Sequence, residues 1–393
     1  MSVDKVKAVV MTGPGKVEIQ EFPFPKIEDL EPGSIIVKVE MGGICGTDKY
    51  AFDGDTMLYG GTEAEQHMVY PHVPGHENSA IVVAMNGKGT DIEYSGKDLQ
   101  VGDRITYCPN VICGRCWYCR SIHAFPFCAK HQGIGMTYSS EEFPHIIGGW
   151  SEYMVLPPKT WVYKVHEDLT VEENVLSEIF VVSALLDRAK MYSATDSRGG
   201  FKFGDTVVVQ GLGAIGMMMM AKARILGAGT IIGLDSKPQN LELAKEFGAD
   251  LALDISKYTD DELVAKIRSL TDGRGADVVV ECVGTPQVVD VGLRMLRRGG
   301  TYCETGNFAD TGSVDLNIHR LFAAKNVLFI GNTNHPHDQY YVHHEMMIRH
   351  RNQFPWYKLI THRYDLDQCV EALEAAASPA ALKVEFVPGM NKK

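Results

Sequence analysis

The sequence predicts an α/β protein in two parts, one antiparallel and strand-rich, the other a parallel sheet with helices on both faces. Three observations carry this reading. The chain has 393 residues, roughly two to three times a usual single domain. Short β-prone runs bounded by Gly, Pro, Asp or Asn fill the first 160 residues, whereas apolar strands and helices alternate strictly from about residue 201 to 335. Glycine, at 39 residues, is about a tenth of the chain against a usual ~7%, as a fold with many tight turns requires.

In the first part, residues 7–11, 16–21, 35–40, 80–85, 104–108 and 152–156 read as strands, and their spacing as an antiparallel barrel or sandwich. In the second, 206–210 is a continuous apolar strand, 214–226 a helix and 230–234 a strand. The pattern continues with a helix at 241–247, a strand at 250–255, and a helix at 260–270 carrying Leu263, Val264 and Ile267. A strand at 277–283, a helix at 288–296 and strands at 300–304 and 327–330 complete it. Such alternation means a parallel sheet covered on both faces. Beyond about 335 the alternation stops. Helices at 340–349 and 366–377 and a strand at 382–387 read as a return to the first part. The four methionines 217–220 fall on the helix after a glycine loop, where soft side chains fill gaps against a sheet.

Composition narrows the class. Hydrophobic residues make up 45% and charged residues 22%, which is ordinary for a globular chain. With 38 basic against 50 acidic residues the net charge is −12, and a nucleic-acid partner, which needs a cationic surface, is not expected. The apolar run 179–186 falls far short of the ~20 residues of a spanning helix, and the N-terminus has no secretory h-region. A soluble, cytoplasmic chain with no membrane partner is expected. Of nine cysteines, Cys108, Cys113, Cys116, Cys119 and Cys128 crowd together, and Cys45 stands alone upstream. In a reducing compartment such clusters read as metal ligands, not disulfides.

Three groups of residues carry chemistry. The run Gly211-Leu212-Gly213-Ala214-Ile215-Gly216 follows an apolar strand and opens a helix, the context that makes G-x-G-x-x-G a dinucleotide fingerprint. Gly211 allows the tight turn, Gly213 lets the backbone approach a pyrophosphate, and Gly216 permits close helix packing. Asp235 ends the next strand, where it would accept from ribose hydroxyls and repel a 2′-phosphate, so NAD is preferred over NADP, with Lys237 nearby. Cys113, Cys116 and Cys119 form two overlapping C-x-x-C units. With Cys128 they give four thiolates and no open position, the signature of a structural zinc. Cys45, His76 and Glu77 offer a thiolate, an imidazole and a carboxylate, the mixed set of a zinc site that keeps a place for substrate.

Taken in order, GICGTD (43–48), PGHE (74–77), CGRCWYC (113–119), GGWSEY (148–153) and GLGAIG (211–216) resemble the zinc-dependent medium-chain dehydrogenases. This is the family of alcohol, sorbitol and threonine dehydrogenases, and the resemblance spans essentially the whole chain. It implies a GroES-like β-barrel catalytic domain at 1–187, a Rossmann doubly wound cofactor domain at 188–335, and a C-terminal return at 336–393. It also implies an active site in the cleft between them, two zincs per chain, and a homodimer or homotetramer.

Residue by residue, the resemblance makes Cys45 and His76 ligands of a catalytic zinc, and Glu77 a glutamate that ligates the metal or sits just behind it. Glu178 matches a further ligand, and a glutamate there resembles the polyol and threonine branch. Thr47 matches the hydroxyl that passes the alcohol proton outward, and Cys282, Val283 and Gly284 the strand end lining the nicotinamide pocket. Neighbours on a strand face opposite ways. The set expected around the metal is therefore Cys45, His76 and Glu178, with Glu77 alternating with solvent or substrate or supporting from behind. Three features depart from the family pattern. Tyr50 stands where a relay histidine is common, eight residues separate Cys119 from Cys128 where seven are usual, and the stretch between Cys45 and His76 is long. That stretch reads as a loop at the substrate entrance. The activity implied is oxidation of a primary or secondary alcohol or polyol to the aldehyde or ketone by hydride transfer to NAD. An NADP-dependent zinc reductase is one alternative. A non-catalytic binding protein that has kept the fold is another, and the intact ligand set argues against it.

Overall fold

The computed structural model describes residues 4–87, 92–123, 125–195 and 199–391. Strand Lys5–Gly13 folds back on Lys16–Pro23 through a Pro-Gly turn. Alternate residues of a strand face opposite ways, and here both faces are buried. Val6, Ala8 and Val10 enter a core with Ile36, Val37 and Tyr107, while Val9 and Met11 enter a second core with Trp150, Leu366 and Phe386.

Among the described residues a seven-stranded sheet forms the frame of this unit. Its order is Val162–Lys164, Arg104–Tyr107, Asn78–Met85, Ile35–Gly43, Lys383–Phe386 and Ile360–Tyr364, and Tyr153–Leu156 also pairs with Ile35–Gly43. All pairs are antiparallel except Ile360–Tyr364 with Lys383–Phe386. The central strand serves three partners: Asn78–Met85 lies along one edge, and Tyr153–Leu156 and Lys383–Phe386 share the other at opposite ends. Its register slips at Ile36/Val37 and again at Val39/Met41, and such bulges kink and twist a strand. The antiparallel barrel or sandwich expected of the first part is thus a strongly bent antiparallel sheet. By contacts this unit comprises Met1–Glu178, Pro336–His350 and Trp356–Lys393.

The second unit comprises Ile179–His335 and Arg351–Pro355. Its border falls after Glu178, inside the short helix Ser177–Val181. Six parallel strands run in the order Leu251–Asp254, Thr230–Asp235, Thr206–Gln210, Ala276–Glu281, Leu296–Glu304 and Leu328–Gly331. Numbered within the unit this is 3-2-1-4-5-6, the doubly wound order of a dinucleotide-binding fold. Val208, Ile232, Val279 and Tyr302 share a core with Leu263, Val264 and Ile267 of helix Asp260–Ser269 and with Val289 and Leu293 of helix Gln287–Met295. Their strand neighbours Val207, Val209, Ile231, Val278 and Val280 are equally buried, so both faces are covered. Met217, Met218, Met219 and Met220 are all fully buried in helix Ala214–Ile225. No helix among the described residues is long and apolar enough to cross a membrane.

Candidate functional site

Cys45 stands where the central strand Ile35–Gly43 has ended and helix Gly46–Asp53 begins. Its N–H donates to Asp48 Oδ2 at 2.8 Å, which caps the helix and fixes the cysteine at the positive end of the helix. Thr47 Oγ1 lies 3.7 Å from the Cys45 sulfur. His76 and Glu77 occupy irregular backbone just before strand Asn78–Met85. That irregularity matters, because it frees adjacent side chains from the opposite-face rule of a strand. Gly75 makes the turn with φ +93°, and a Cβ there would stand 2.3 Å from Trp150 Cδ1. The same indole donates to Gly43 O at 3.0 Å. The GGW motif therefore braces the segments bearing both Cys45 and His76.

The ligand atoms of Cys45, His76 and Glu77 all lie within 4.8 Å of one another. Within this group His76 Nδ1 and Glu77 Oε1 are buried without a hydrogen-bond partner. An orphaned buried polar atom costs about 1–3 kcal/mol, so the cluster favours a cation that would use its lone pairs. Sulfur, nitrogen and oxygen donors together fit zinc. Burial alone would push the His76 pKa down, but the neighbouring Cys45 and Asp48 charges override it and raise it. Asp48 Oδ1 is 3.8 Å from His76 Nδ1, close enough to orient the ring electrostatically.

Glu178 lies outside that 4.8 Å group but within its electrostatic reach. It is buried, and burial followed by the Glu77 charge raises its pKa. Its charge acts in turn on His76. Three residues that the sequence did not single out complete the surroundings. Asp48 is one, at 2% exposure. Lys383 is another: its ammonium pairs with Glu77 Oε2 and donates to Ile44 O at 3.0 Å. Glu385, two residues on, is fully buried with neither carboxyl oxygen hydrogen-bonded. Both charges lie on strand Lys383–Phe386, every residue of which is buried, so strand alternation gives no sign of them.

The sulfur cluster is separate. Cys113, Cys116, Cys119 and Cys128 bring four sulfurs within 4.8 Å of one another. Individual separations are 3.5 Å for Cys116–Cys119 and Cys113–Cys128 and 4.0 Å for Cys116–Cys128. Zn–S bonds of ~2.3 Å at tetrahedral angles put sulfurs about 3.8 Å apart, so these spacings fit one closed zinc site. Backbone N–H groups already point at the sulfurs, from Cys113 to Cys128 and from Arg115 to Cys113. A hydrogen bond from the Cys119 backbone leads the causes that hold the Cys116 thiol below its ordinary pKa.

In the second unit the glycine loop follows strand Thr206–Gln210 at the point where the strand order reverses. Gly211 takes φ +84°, and a Cβ on Gly216 would stand 1.9 Å from Gly211 O. A Cβ on Gly213, by contrast, would meet nothing within 4 Å, the open cradle a pyrophosphate needs at the start of helix Ala214–Ile225. Leu212, Ala214 and Ile215 complete the loop and first turn, and Leu212 N–H donates to Asp235 Oδ2 at 2.9 Å. Asp235 also accepts from Ser236 N at 2.7 Å, Lys237 N at 2.9 Å and Asn240 Nδ2 at 3.1 Å. The carboxylate is thus locked beside the loop. Cys282, Val283 and Gly284 follow the adjacent strand Ala276–Glu281, with the Val283 and Gly284 N–H groups donating to Glu281 Oε1 at 2.5 and 2.9 Å. Burial first, then the Glu304 carboxyl, push Glu281 up to about 8.

A bent antiparallel sheet carrying a mixed metal cluster and a sulfur lobe, with a doubly wound nucleotide fold, defines a metal-dependent dehydrogenase. Residues 31–167 match the alcohol dehydrogenase GroES-like domain and residues 214–345 the zinc-binding dehydrogenase family. The chain belongs to this family of zinc-binding, nicotinamide-dependent oxidoreductases. The GroES-like match lies within its first unit, and its second unit carries the Rossmann-type sheet. It is 28% identical over 387 residues to the erythritol/L-threitol dehydrogenase of Mycolicibacterium smegmatis, covering 98% of each chain. Among solved structures, an alcohol dehydrogenase from Thermotoga maritima is 30% identical with a TM-score of 0.86, over 98% of this chain and 99% of that one. A zinc-binding dehydrogenase structure from Sinorhizobium meliloti bound to NADP is 25% identical with a TM-score of 0.78, over 98% and 99%.

Proposed function

We propose that the protein oxidises a polyol, or a related primary or secondary alcohol, to the ketone or aldehyde with NAD as hydride acceptor. The observation that carries this is the Cys45–His76–Glu77 cluster, whose orphaned buried atoms ask for a cation beside the Thr47 hydroxyl. Cys45, His76 and Glu178 would hold the catalytic zinc, with Glu77, tied to Lys383 through Oε2, offering its free Oε1 at the exchangeable fourth position. Cys113, Cys116, Cys119 and Cys128 would hold a second, structural zinc. When bound, zinc supplies Lewis acidity that lowers the pKa of an alcohol, and the nicotinamide supplies the hydride acceptor.

The chain's own residues do the rest. Thr47, one residue past the start of helix Gly46–Asp53, takes up the alcohol proton at its hydroxyl oxygen and passes it outward. Lys383 balances the charge of Glu77, so a neutral alcohol meets a site whose excess negative charge is partly compensated. Gly211, Gly213 and Gly216 seat the pyrophosphate against the first turn of helix Ala214–Ile225, and Cys282, Val283 and Gly284 line the nicotinamide end. Asp235 selects NAD by charge. Four internal donors fill its roughly four lone-pair sites, so in place of accepting from the ribose it acts through its negative charge, which, held in place, repels a 2′-phosphate.

Catalytic and cofactor domains at 1–187 and 188–335, with 336–393 completing the first, and a homodimer or homotetramer belong to the same reading. The polyol preference is supported by Glu178 and by the name of the Mycolicibacterium relative. The test is a screen of zinc-replete protein with NAD⁺ or NADP⁺ against polyols, secondary alcohols and simple primary alcohols, reading the reduced cofactor. Polyols with NAD⁺ should give the highest turnover. Turnover that is faster with NADP⁺ than with NAD⁺ would favour the reductase alternative, and no turnover on the panel would revive the non-catalytic one. Asp235→Ala should narrow the NAD/NADP ratio by on the order of tenfold, about 1.4 kcal/mol.

A further inference from the structure

A chain of buried side chains ties the segment carrying Glu178 to the strand that follows His76, and each hydrogen in it has a defined direction. Asn174 Nδ2 donates to Ser79 Oγ at 2.8 Å and to Ile105 O at 3.2 Å. Asn174 Oδ1 then accepts from Ser177 Oγ–H at 3.4 Å. Ser177 has a single hydroxyl proton, so it is the acceptor toward His344 Nε2 at 2.9 Å. His344 is therefore the neutral Nε2–H tautomer. Burial pushes its pKa down to about 4, and a proton on Nδ1 would be buried without an acceptor, so the ring's single proton sits on Nε2, where Ser177 accepts it. At the other end Ser79 Oγ–H donates to Glu40 Oε2 at 3.1 Å, and Arg104 grips the same carboxylate at 2.7 and 2.9 Å. Ser79, Asn174 and Ser177 are completely buried and His344 is 2% exposed.

We infer that Asn174 is a positioning residue of the catalytic metal centre, holding Glu178 at a fixed separation from His76 through Ser177 on one side and Ser79 on the other. The inference rests on the reading of Glu178 as a ligand. Ser177 adjoins Glu178, Ser79 lies three residues after His76, and one amide joins the two segments across 95 positions of sequence. Glu178 stands in a helix of only five residues, too short to be stable alone, so its position is set by the packing of Ile179, Phe180 and Val181 together with this polar chain. Cys45 and His76 have their own supports in Asp48 and Trp150. The side-chain donors run from His344 to the Glu40 carboxyl that Arg104 grips, so each bond polarises the next and the chain stiffens as a unit. A ligand set drawn from distant segments needs its separations held within about half an ångström.

The test uses zinc-loaded, full-length protein and follows release of zinc to a chromogenic chelator. Asn174→Asp keeps the side-chain shape but removes both donors, and Ser177→Ala removes the middle hydroxyl. The Cys45→Ser protein marks which release phase belongs to the sulfur lobe. Zinc in the buried phase should leave 10–100-fold faster from both variants, the range usual for lost outer support of a metal ligand. Lobe release and NADH affinity should stay unchanged. A merely structural role would move all three readouts together. Should Asn174→Asp fail to fold, Ser177→Ala decides alone. Folded variants that release buried zinc at the unmodified rate overturn the inference, provided Glu178→Ala releases it fast. If Glu178→Ala also keeps its zinc, the ligand reading itself has failed.

Discussion

Cys113, Cys116, Cys119 and Cys128 come from one stretch of chain and half of them are partly exposed, whereas Cys45, His76, Glu77 and Glu178 come from three distant segments. His76, Glu77 and Glu178 are buried. Around the sulfur lobe Trp117, Ile122 and Phe127 remain 61%, 49% and 55% exposed, so little apolar burial holds this segment together. The distant set is braced by protein: Asp48 caps Cys45, Trp150 fixes the His76 turn, Asn174 ties in Glu178, and Lys383 pairs with Glu77. A local cluster needs its metal to have a shape, whereas an assembled cluster has its shape first and offers it to a metal. Loss of the lobe zinc should therefore cost stability, and loss of the buried zinc should cost turnover.

The largest effect that would break this contrast is at Cys45. Cys45→Ser should remove several kcal/mol of transition-state stabilisation, on the order of a thousandfold or more in kcat, with little change in melting temperature. A melting loss comparable to that of a lobe variant would make the two clusters alike. Next come the two glutamates. Glu178→Ala should lose most buried zinc and with it turnover. Glu77→Gln should keep most of the metal but slow turnover about 10–100-fold, and it should also destabilise, since a buried ammonium loses its partner at a cost of about 3–5 kcal/mol. Zinc occupancy of both variants sorts the roles, and they reverse if Glu77→Gln loses the metal while Glu178→Ala retains it.

Cys113→Ser sharpens the other side. It should lower the melting temperature by several °C while turnover per folded molecule stays within about twofold, because metal binding at a local site is folding energy. The smallest effect is a control from the second unit. Neutral Glu281 contributes stability that is complete below its unfolded pKa of about 4.3 and is lost as pH rises through about 8. Melting should fall by on the order of a few °C between pH 6 and pH 9. Glu281→Gln should flatten that slope, and neither metal cluster should change it.

The same contrast governs how much is legible in the sequence. The sulfur lobe and the glycine loop are local patterns, so residue spacing alone reveals them. The alternation from 206 to 304 marks the parallel sheet because both faces of its strands are buried and continuous apolar runs stand out. Strand Ile360–Tyr364 gives no such signal, because it is an edge strand whose Thr361 and Arg363 are exposed. Helix Gly46–Asp53 is hidden in a stretch that reads as a substrate-entrance loop, its start set by the Asp48 cap more than by any apolar period. Lys383 and Glu385 are invisible for a different reason. Alternating charge on a terminal strand signals a solvent face, and here pairing with Glu77 keeps that face inside. The opposite-face argument for Glu77 does not anticipate the irregular backbone at 73–77, which lets His76 and Glu77 point to one place.

Zinc per chain, measured on the unmodified protein beside Cys45→Ser and Cys113→Ser, tests the central claim most directly. Two ions in the first and one in each variant are expected, with turnover lost only from Cys45→Ser and thermal stability only from Cys113→Ser. A single zinc in the fully folded, unstripped protein would contradict the account, as would one substitution emptying both sites.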